Sequence, residues 1–415
     1  DWTGAEKEIN PLLEDVRKWG NWVLEEAKKE IGKFYPEEED GSIPVSYIWA
    51  RTISCQNPSC GVDIPLMGQF WLVRKDKKKL ALFPYADSGI VKFKIVGDGY
   101  EPLPAGFDPS NGTVSNAVAI CLICGSVVDA KTTRKLFREG KFGHRLVAAV
   151  LHTPGVSGRK YRIAIDRDLQ IYDAAEAYLS EREKELKLEW GMEPIPDEEA
   201  PGTLGSNAMG ARYCFYKFGD YFNSRQQLIL ITFVEKIREA YRRMVSEQYE
   251  QEYAKAVTSY LALVISRTAD FESSLCRWHP QWEFIPNTFA RQALPMSWGY
   301  AELNPYSPIL TGTWNSMLGQ VLKTIRIFLC TNSSQATVAQ SSATNLSHPD
   351  DFFDAVFTDP PYYDNVNYSV LSDFFYVWLK RTIGDLHPEL FTTPCTPKKL
   401  EIVSDRYRHG NNREE

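Results

Sequence analysis

The chain has 415 residues, enough for two or three domains. Its 43% hydrophobic and 24% charged residues are ordinary for a soluble protein that builds real cores. No apolar run is long enough to span a bilayer and the first residues lack a secretory signal, so we expect a cytoplasmic protein. A net charge of −7 is unlike a dedicated nucleic-acid coat, but a local basic face could still contact DNA phosphates.

An N-terminal helical segment is predicted over residues 1–44. Asn10 can cap a helix that runs from residue 11 to about residue 34, and Pro11 suits its first turn. Apolar residues recur along it at helical spacing. This stripe requires a partner surface and indicates no function.

Residues 45–172 are predicted to form a β-rich module, because short apolar runs alternate with Gly, Pro, Asp and Asn. Three clusters of basic residues lie within it, at Arg74–Lys79, Lys131–Arg145 and Arg159–Arg162. A single cluster is as easily explained by a solvated face. Three clusters in one stretch favour a polyanionic partner such as DNA.

Residues 173–287 are predicted to be mainly helical. A charged helix runs from residue 173 to about 190, and an acidic linker rich in Pro and Gly follows at 191–206. Ser224 then caps a helix that ends near residue 245, and a second helix comes after it. We expect these two helices to form an antiparallel pair that buries its own apolar faces.

Residues 288–415 alternate between helix and strand. Helices are predicted at 313–329 and 369–381, and strands at 336–340 and 354–358. Alternation of this kind is typical of α/β proteins with a doubly wound sheet. The sequence therefore predicts an α/β fold with a partial doubly wound, Rossmann-like sheet in this part of the chain.

The predicted strand at 354–358 ends in the sequence Asp-Pro-Pro-Tyr. Ligands of open α/β sheets lie at the carboxyl ends of strands. Pro360 and Pro361 stiffen the turn and remove two backbone donors, so the turn mainly presents acceptors. Asp359 and the Pro360 carbonyl could each accept one N–H of an exocyclic amine, and Tyr362 could stack on an extruded base. The alternative is a rigid turn at the end of a strand, with a buried tyrosine.

This motif and its flanks resemble a known family. Asp359–Tyr362, after the predicted strand, is similar to the catalytic motif of amino-methyltransferases that act on adenine N6 or cytosine N4. Other stretches resemble one subfamily, the adenine-specific DNA methylases that contain a zinc ribbon. These stretches are Phe289–Met296, Tyr300–Pro305, Thr358–Tyr368, Thr396–Ile402 and Tyr407–Gly410. The resemblance continues upstream through Tyr216–Asp220 and Arg225–Leu228 to two pairs of cysteines, and covers most of the chain.

The resemblance implies an S-adenosylmethionine-dependent enzyme that methylates adenine N6 in DNA, in a host-defence or restriction-type system with its own partner proteins. It makes Asp359, Pro360, Pro361 and Tyr362 the catalytic residues, within a methyltransferase part at 288–415. Cytosine N4, or an RNA or protein amide, stays open as the target because the acceptors would be the same. A third interpretation is a zinc-containing module that binds nucleic acid without catalysis.

Two features concern the cofactor. Methyltransferases of this class need a glycine-rich loop between the first strand and a helix, but Gly97-Asp-Gly99 and Gly202-Thr-Leu-Gly205 do not occupy such a place. The order of motifs in the family puts the loop before residue 1, so we expect this chain to be part of a longer protein. Glu302 could hold the ribose hydroxyls of the cofactor, or be a surface carboxylate beside an Asn-Pro turn.

The chain has eight cysteines, of which Cys55/Cys60 and Cys121/Cys124 form close pairs. In a long cytoplasmic chain such pairs indicate a metal site rather than disulfides. Four thiolates would give a closed, structural Zn²⁺ site, provided that the β-rich module brings the pairs together across residues 61–120. Two unrelated turns with buried thiols are the alternative. An iron–sulfur cluster is less favoured, because nothing else in the sequence indicates redox chemistry.

Overall fold

The computed structural model describes residues 10–200, 213–329, 337, 346, 348–359 and 368–398. The α-helices in these ranges are α1 (Pro11–Ile31), α2 (Ala130–Arg138), α3 (Asp166–Trp190), α4 (Ser224–Ser246), α5 (Gln251–Ala269), α6 (Trp314–Leu329) and α7 (Tyr368–Ile383), with 3-10 turns at Gly32–Phe34 and Phe218–Tyr221. The strands are β1 (Ile43–Ser54), β2 (Asp63–Leu66), β3 (Trp71–Lys75), β4 (Lys78–Asp87), β5 (Ile90–Gly97), β6 (Val114–Ser115), β7 (Val118–Ile120), β8 (Val127–Val128), β9 (Gly143–His152), β10 (Lys160–Ile163) and β11 (Gly299–Leu303).

Strand β1 organises the largest sheet, whose order is β10-β9-β1-β11 with β2 also paired to β1. Ten consecutive residues of β1 are buried, as expected for a strand with neighbours on both edges and cover on both faces. One edge pairs with β9, while the other pairs with β11 over Ser46–Ala50 and with β2 over Arg51–Ser54. The sheet thus unites strands from the β-rich module with a strand from the segment that begins at residue 288.

Two smaller sheets complete the strand architecture, in the orders β3-β4-β5 and β6-β7-β8. They lie inside residues 45–172, so this part of the chain is rich in β-strands and also contains α2. All pairings between the named strands are antiparallel. The described residues therefore form a mixed α/β fold with antiparallel sheets, and they contain no parallel, doubly wound sheet.

The predicted helices are present, but some of them begin or end at other residues than predicted. Helix α1 begins at Pro11, where Asn10 accepts a hydrogen bond from Leu13 N at 3.2 Å. Helix α3 begins at Asp166, earlier than residue 173, and α4 is capped by Asn223 rather than Ser224. Helices α4 and α5 do pack together, but α4 also contacts α1, α3 and α7. None of the described helices is long and apolar enough to cross a membrane.

The prediction of a strand at 354–358 is wrong. Residues 352–359 form no strand, and all of them are exposed, including Phe357 at 94%. An apolar run becomes a buried strand only where neighbours satisfy its backbone N–H and C=O groups, and none of the described strands pairs with this one. The strand predicted at 336–340 lies outside the described residues, apart from position 337. The two flanking helices are present as α6 and α7.

A cluster of buried polar groups lies where the helices meet the main sheet. Glu302 of β11 and Arg225 of α4 form an ion pair there, with side-chain exposures of 0% and 1%. Glu272, in the loop after α5, is also fully buried, and neither of its carboxylate oxygens has a hydrogen-bond partner among the described residues. Burial, and then the negative charge of Glu302, raise the pKa of Glu272 well above its usual value, while Arg225 lowers it.

This raised pKa of Glu272 predicts a pH-dependent stability. A carboxyl that prefers its proton in the folded state stabilises the fold at low pH, and this contribution is lost as the pH rises from about 4.5 towards the raised pKa. Over that window the free energy of unfolding should fall by about 1.4 kcal/mol for each pH unit from this group. Glu272→Gln cannot ionise, so the variant should be more stable than the parent at pH 8 in urea denaturation.

Glu283 provides a matched control for this experiment. It is also buried, but its carboxylate is paired with Lys75 and accepts a hydrogen bond from Tyr161 Oη at 2.8 Å. Although burial raises the pKa of Glu283, these two partners lower it overall. Glu283→Gln should therefore be less stable than the parent at neutral pH. Parallel pH profiles for the parent and Glu272→Gln would contradict the prediction.

Candidate metal centre

The four paired cysteines lie in the loops of two β-hairpins. Strands β1 and β2 flank the loop with Cys55 and Cys60, and β7 and β8 flank the loop with Cys121 and Cys124. The residue after the second cysteine of each pair is a glycine with positive φ, Gly61 at 60° and Gly125 at 71°. Such glycines allow each loop to turn sharply and direct both of its thiols to one side.

The two hairpin loops bring all four sulfurs together. The Sγ atoms of Cys55 and Cys124 are 3.6 Å apart, those of Cys60 and Cys121 are 3.8 Å apart, and all four lie within 4.8 Å of one another. A tetrahedral Zn²⁺ with Zn–S bonds of about 2.3 Å requires sulfurs about 3.8 Å apart. The four cysteines are free thiols that could bind a metal ion such as zinc, and the alternative of two unrelated turns is wrong.

Backbone hydrogen bonds hold each loop in this shape. Cys55 N donates to Val62 O at 2.8 Å, and Cys121 N donates to Ser126 O at 2.9 Å. The Ser126 hydroxyl lies 3.2 Å from Cys124 Sγ, and this contact together with the Ser126 backbone lowers the pKa of the Cys124 thiol to about 6, whereas burial raises the pKa of the Cys55 thiol to about 12. Thiolates rather than thiols bind metals, so the lowered pKa favours Cys124 as a metal ligand.

Replacement of the cysteines should remove one bound metal ion per chain. Cys60→Ser and Cys124→Ser should each release zinc and lower the melting temperature, because a structural metal contributes directly to folding. Zinc content and thermal unfolding would be measured on the purified protein before and after treatment with a chelator. Cys395→Ser, outside the cluster, is the matched control and should keep its metal. Equal zinc content in all variants, or none in the parent, would contradict the assignment.

The fold and the cluster define the class: a mixed α/β protein with antiparallel sheets and a four-cysteine cluster able to bind a metal ion. Searches against family models, curated proteins and solved structures found no match for this chain.

The Asp-Pro-Pro-Tyr motif is only partly within the described chain. Asp359 is exposed at the end of the unpaired segment 352–359, while Pro360, Pro361 and Tyr362 lie outside the described residues. Helix α7 begins at Tyr368, shortly after the motif. The roles assigned to these four residues stay predictions.

Glu302 lies at the centre of the buried polar cluster rather than on a surface. Its carboxylate accepts hydrogen bonds from Tyr35 Oη at 2.7 Å, Trp49 Nε1 at 2.8 Å and Asn223 Nδ2 at 3.0 Å, and from Arg225 Nε. A carboxylate has about four lone-pair sites. Contact with ribose hydroxyls would require some of these bonds to open, and the cofactor role of Glu302 stays a prediction.

Glu302→Gln separates a structural role from cofactor binding. Removal of one partner of a buried ion pair leaves the other charge uncompensated, which costs about 3–5 kcal/mol. We expect a loss of this size in the free energy of unfolding, measured by urea denaturation without any cofactor. A variant as stable as the parent would contradict the structural role of this ion pair.

The basic clusters are partly structural. Lys75 pairs with Glu283, and Arg162 pairs with Glu38 and Asp168. Lys77, Lys79, Lys131 and Arg138 remain exposed. These four side chains belong to none of these ion pairs, and a polyanionic partner for them stays a prediction.

Sequence reasoning did not identify Arg225 and Glu272 as buried charged residues near Glu302. Both lie in mainly polar stretches of sequence, at 223–227 and 270–274, so no local pattern marked them as buried.

Proposed function

We propose that this chain carries the catalytic motif of an S-adenosylmethionine-dependent DNA methyltransferase that acts on the exocyclic N6 amine of adenine. The sequence Asp-Pro-Pro-Tyr and its flanks support the proposal, as does the exposed Asp359 carboxylate just ahead of helix α7. The exposure of Asp359 is the observation on which the proposal rests, because a buried carboxylate could not reach a base.

The chemistry assigned to this chain is the positioning of an amine. The carboxylate of Asp359 accepts one N–H of the adenine amine and the carbonyl of Pro360 accepts the other, while Tyr362 stacks on the extruded base. These acceptors draw the nitrogen lone pair out of conjugation with the ring. A bound cofactor would supply an electrophilic methyl group, and the role of Asp359 and Pro360 would be to hold the amine nitrogen with its lone pair available to that group.

The metal cluster and the exposed basic residues have a supporting role in this proposal. The cluster fastens the two hairpins of the β-rich module, and the exposed lysines and arginines of that module contact DNA phosphates. A local basic surface of this kind allows a chain of net charge −7 to bind a polyanion.

Asp359→Asn tests the catalytic step. In the full-length protein as encoded by its gene, we expect at least a hundredfold loss of methyl transfer to DNA, within the range for loss of one preorganised hydrogen-bonding group. The measurement is incorporation of labelled methyl groups into DNA, followed by identification of the modified base. Asp354→Asn changes the same charge in the same exposed segment and should remain active. Equal activities for the two variants would refute the assignment of Asp359.

A non-catalytic, nucleic-acid-binding module is the second candidate. It is favoured by the antiparallel arrangement of the described sheets together with the four-cysteine cluster. Calorimetry of the protein with S-adenosylmethionine separates the two. Binding supports the enzyme, and no binding supports the module.

A further inference from the structure

A groove with an aromatic and basic lining separates the β3-β4-β5 sheet from the loop that leads into β11. Its volume is about 460 Å³, within the range of about 300–1,000 Å³ typical of small-molecule sites. Strands β3 and β4 form one wall, and residues 277–281 and 296–300 form the other. None of the lining residues belongs to the segment with Asp359.

Aromatic rings dominate the walls of this groove. Trp71, Trp278 and Trp298 all face it. The indole N–H of Trp71 donates to Ser110 Oγ at 3.0 Å, and that of Trp278 donates to Leu72 O at 2.7 Å. With its N–H group already bonded to the protein, the half-buried Trp71 indole offers an incoming ligand its ring, whereas Trp278 is buried and contributes only to the lining.

The charge of the groove is positive. Arg74 and Arg277 are its exposed charged residues, and its lining includes no aspartate or glutamate. Neither arginine is in a salt bridge with any part of the chain that the structure describes. The Arg74 guanidinium lies 5.8 Å from the centroid of the Trp71 ring. A flat ring beside an unpaired guanidinium suits a ligand that has both an aromatic face and an anionic group.

We propose that this groove binds a nucleobase together with its attached phosphate. Trp71 would stack on the base, whereas Arg74 and Arg277 at the rim would contact the phosphate. Base stacking on aromatic side chains and arginine contacts to phosphate are the two interactions that single-stranded nucleic acids commonly use. This site is separate from the methyl-transfer motif and does not depend on it.

The groove is also tied to the metal cluster. Met67, on its lining, follows β2 of the first cysteine hairpin, and its N–H donates to Thr113 Oγ1 at 2.9 Å. Thr113 directly precedes β6 of the sheet that carries the second hairpin. Gly112 permits this close approach, because a Cβ there would lie 1.9 Å from Met67 O. The bound metal would therefore hold one wall of the groove in place.

The test is direct binding by the zinc-loaded protein, without S-adenosylmethionine. Calorimetry would be used with dAMP and dTMP, and fluorescence anisotropy with a labelled single-stranded 12-mer. Trp71→Ala should weaken binding about fivefold or more, the lower limit of the stacking contribution of one base. The double variant Arg74→Ala/Arg277→Ala should weaken it at least tenfold and reduce the salt-dependence slope for the 12-mer by about 1.4.

Matched controls carry the same changes outside the groove. Trp282→Ala removes an indole that is 68% exposed, and Arg291→Ala removes an exposed positive charge. Both should bind like the parent. The double arginine variant alters only exposed side chains, so its result stands even if Trp71→Ala folds poorly; circular dichroism and zinc content report folding.

The two ligand types identify the natural source of the base. Binding of the 12-mer that is much tighter than that of the mononucleotides supports a nucleic-acid strand as the ligand, and similar affinities support a free nucleotide. No binding of either type by the parent overturns the proposal. Equal weakening in the groove variants and the controls overturns it as well.

Discussion

The ion pair between Glu302 and Arg225 holds the main sheet and the helices together. Glu302 comes from β11, Arg225 from α4, and the other donors to the carboxylate lie on β1, near the start of α4 and after α1. Two charges removed from water are costly unless each is fully compensated. The Arg225 guanidinium meets this condition in part by lying 4.2 Å from the centroid of the Tyr47 ring and by donating to Phe34 O at 3.2 Å.

Strand β1 connects this buried ion pair to the metal cluster. The strand that carries Trp49, a donor to Glu302, ends at Ser54, and Cys55 follows immediately. The position of the first thiol is thus fixed by a strand that is buried along almost its entire length. The second hairpin has only the short strands β7 and β8, so it depends more on the metal for its position.

The cysteine cluster, the groove and the segment that ends at Asp359 lie in different parts of the chain and depend on different contacts. The cysteine cluster is fixed by two short loops, and the groove requires walls from distant segments to meet. The segment that ends at Asp359 has its apolar side chains in solvent, with exposures from 48% at Phe353 to 94% at Phe357.

The sequence by itself determined the features that depend on local periodicity and spacing. Features encoded within a few residues of chain could be predicted: the apolar stripe of α1 and its Asn10 cap, helices α6 and α7, the β-rich character of residues 45–172, and the two cysteine pairs.

Strand pairing could not be predicted, since β1 pairs with β9 and β11, which follow it by about 90 and 250 residues. An apolar pattern also predicted a strand at 354–358. This strand does not form, because a strand requires neighbouring strands with which to pair. Tertiary structure alone decided that Glu302 is buried against Arg225, that Glu272 has no partner among the described residues, and that three tryptophans line one groove. Each of these depends on contacts between residues far apart in the chain, which no local pattern specifies.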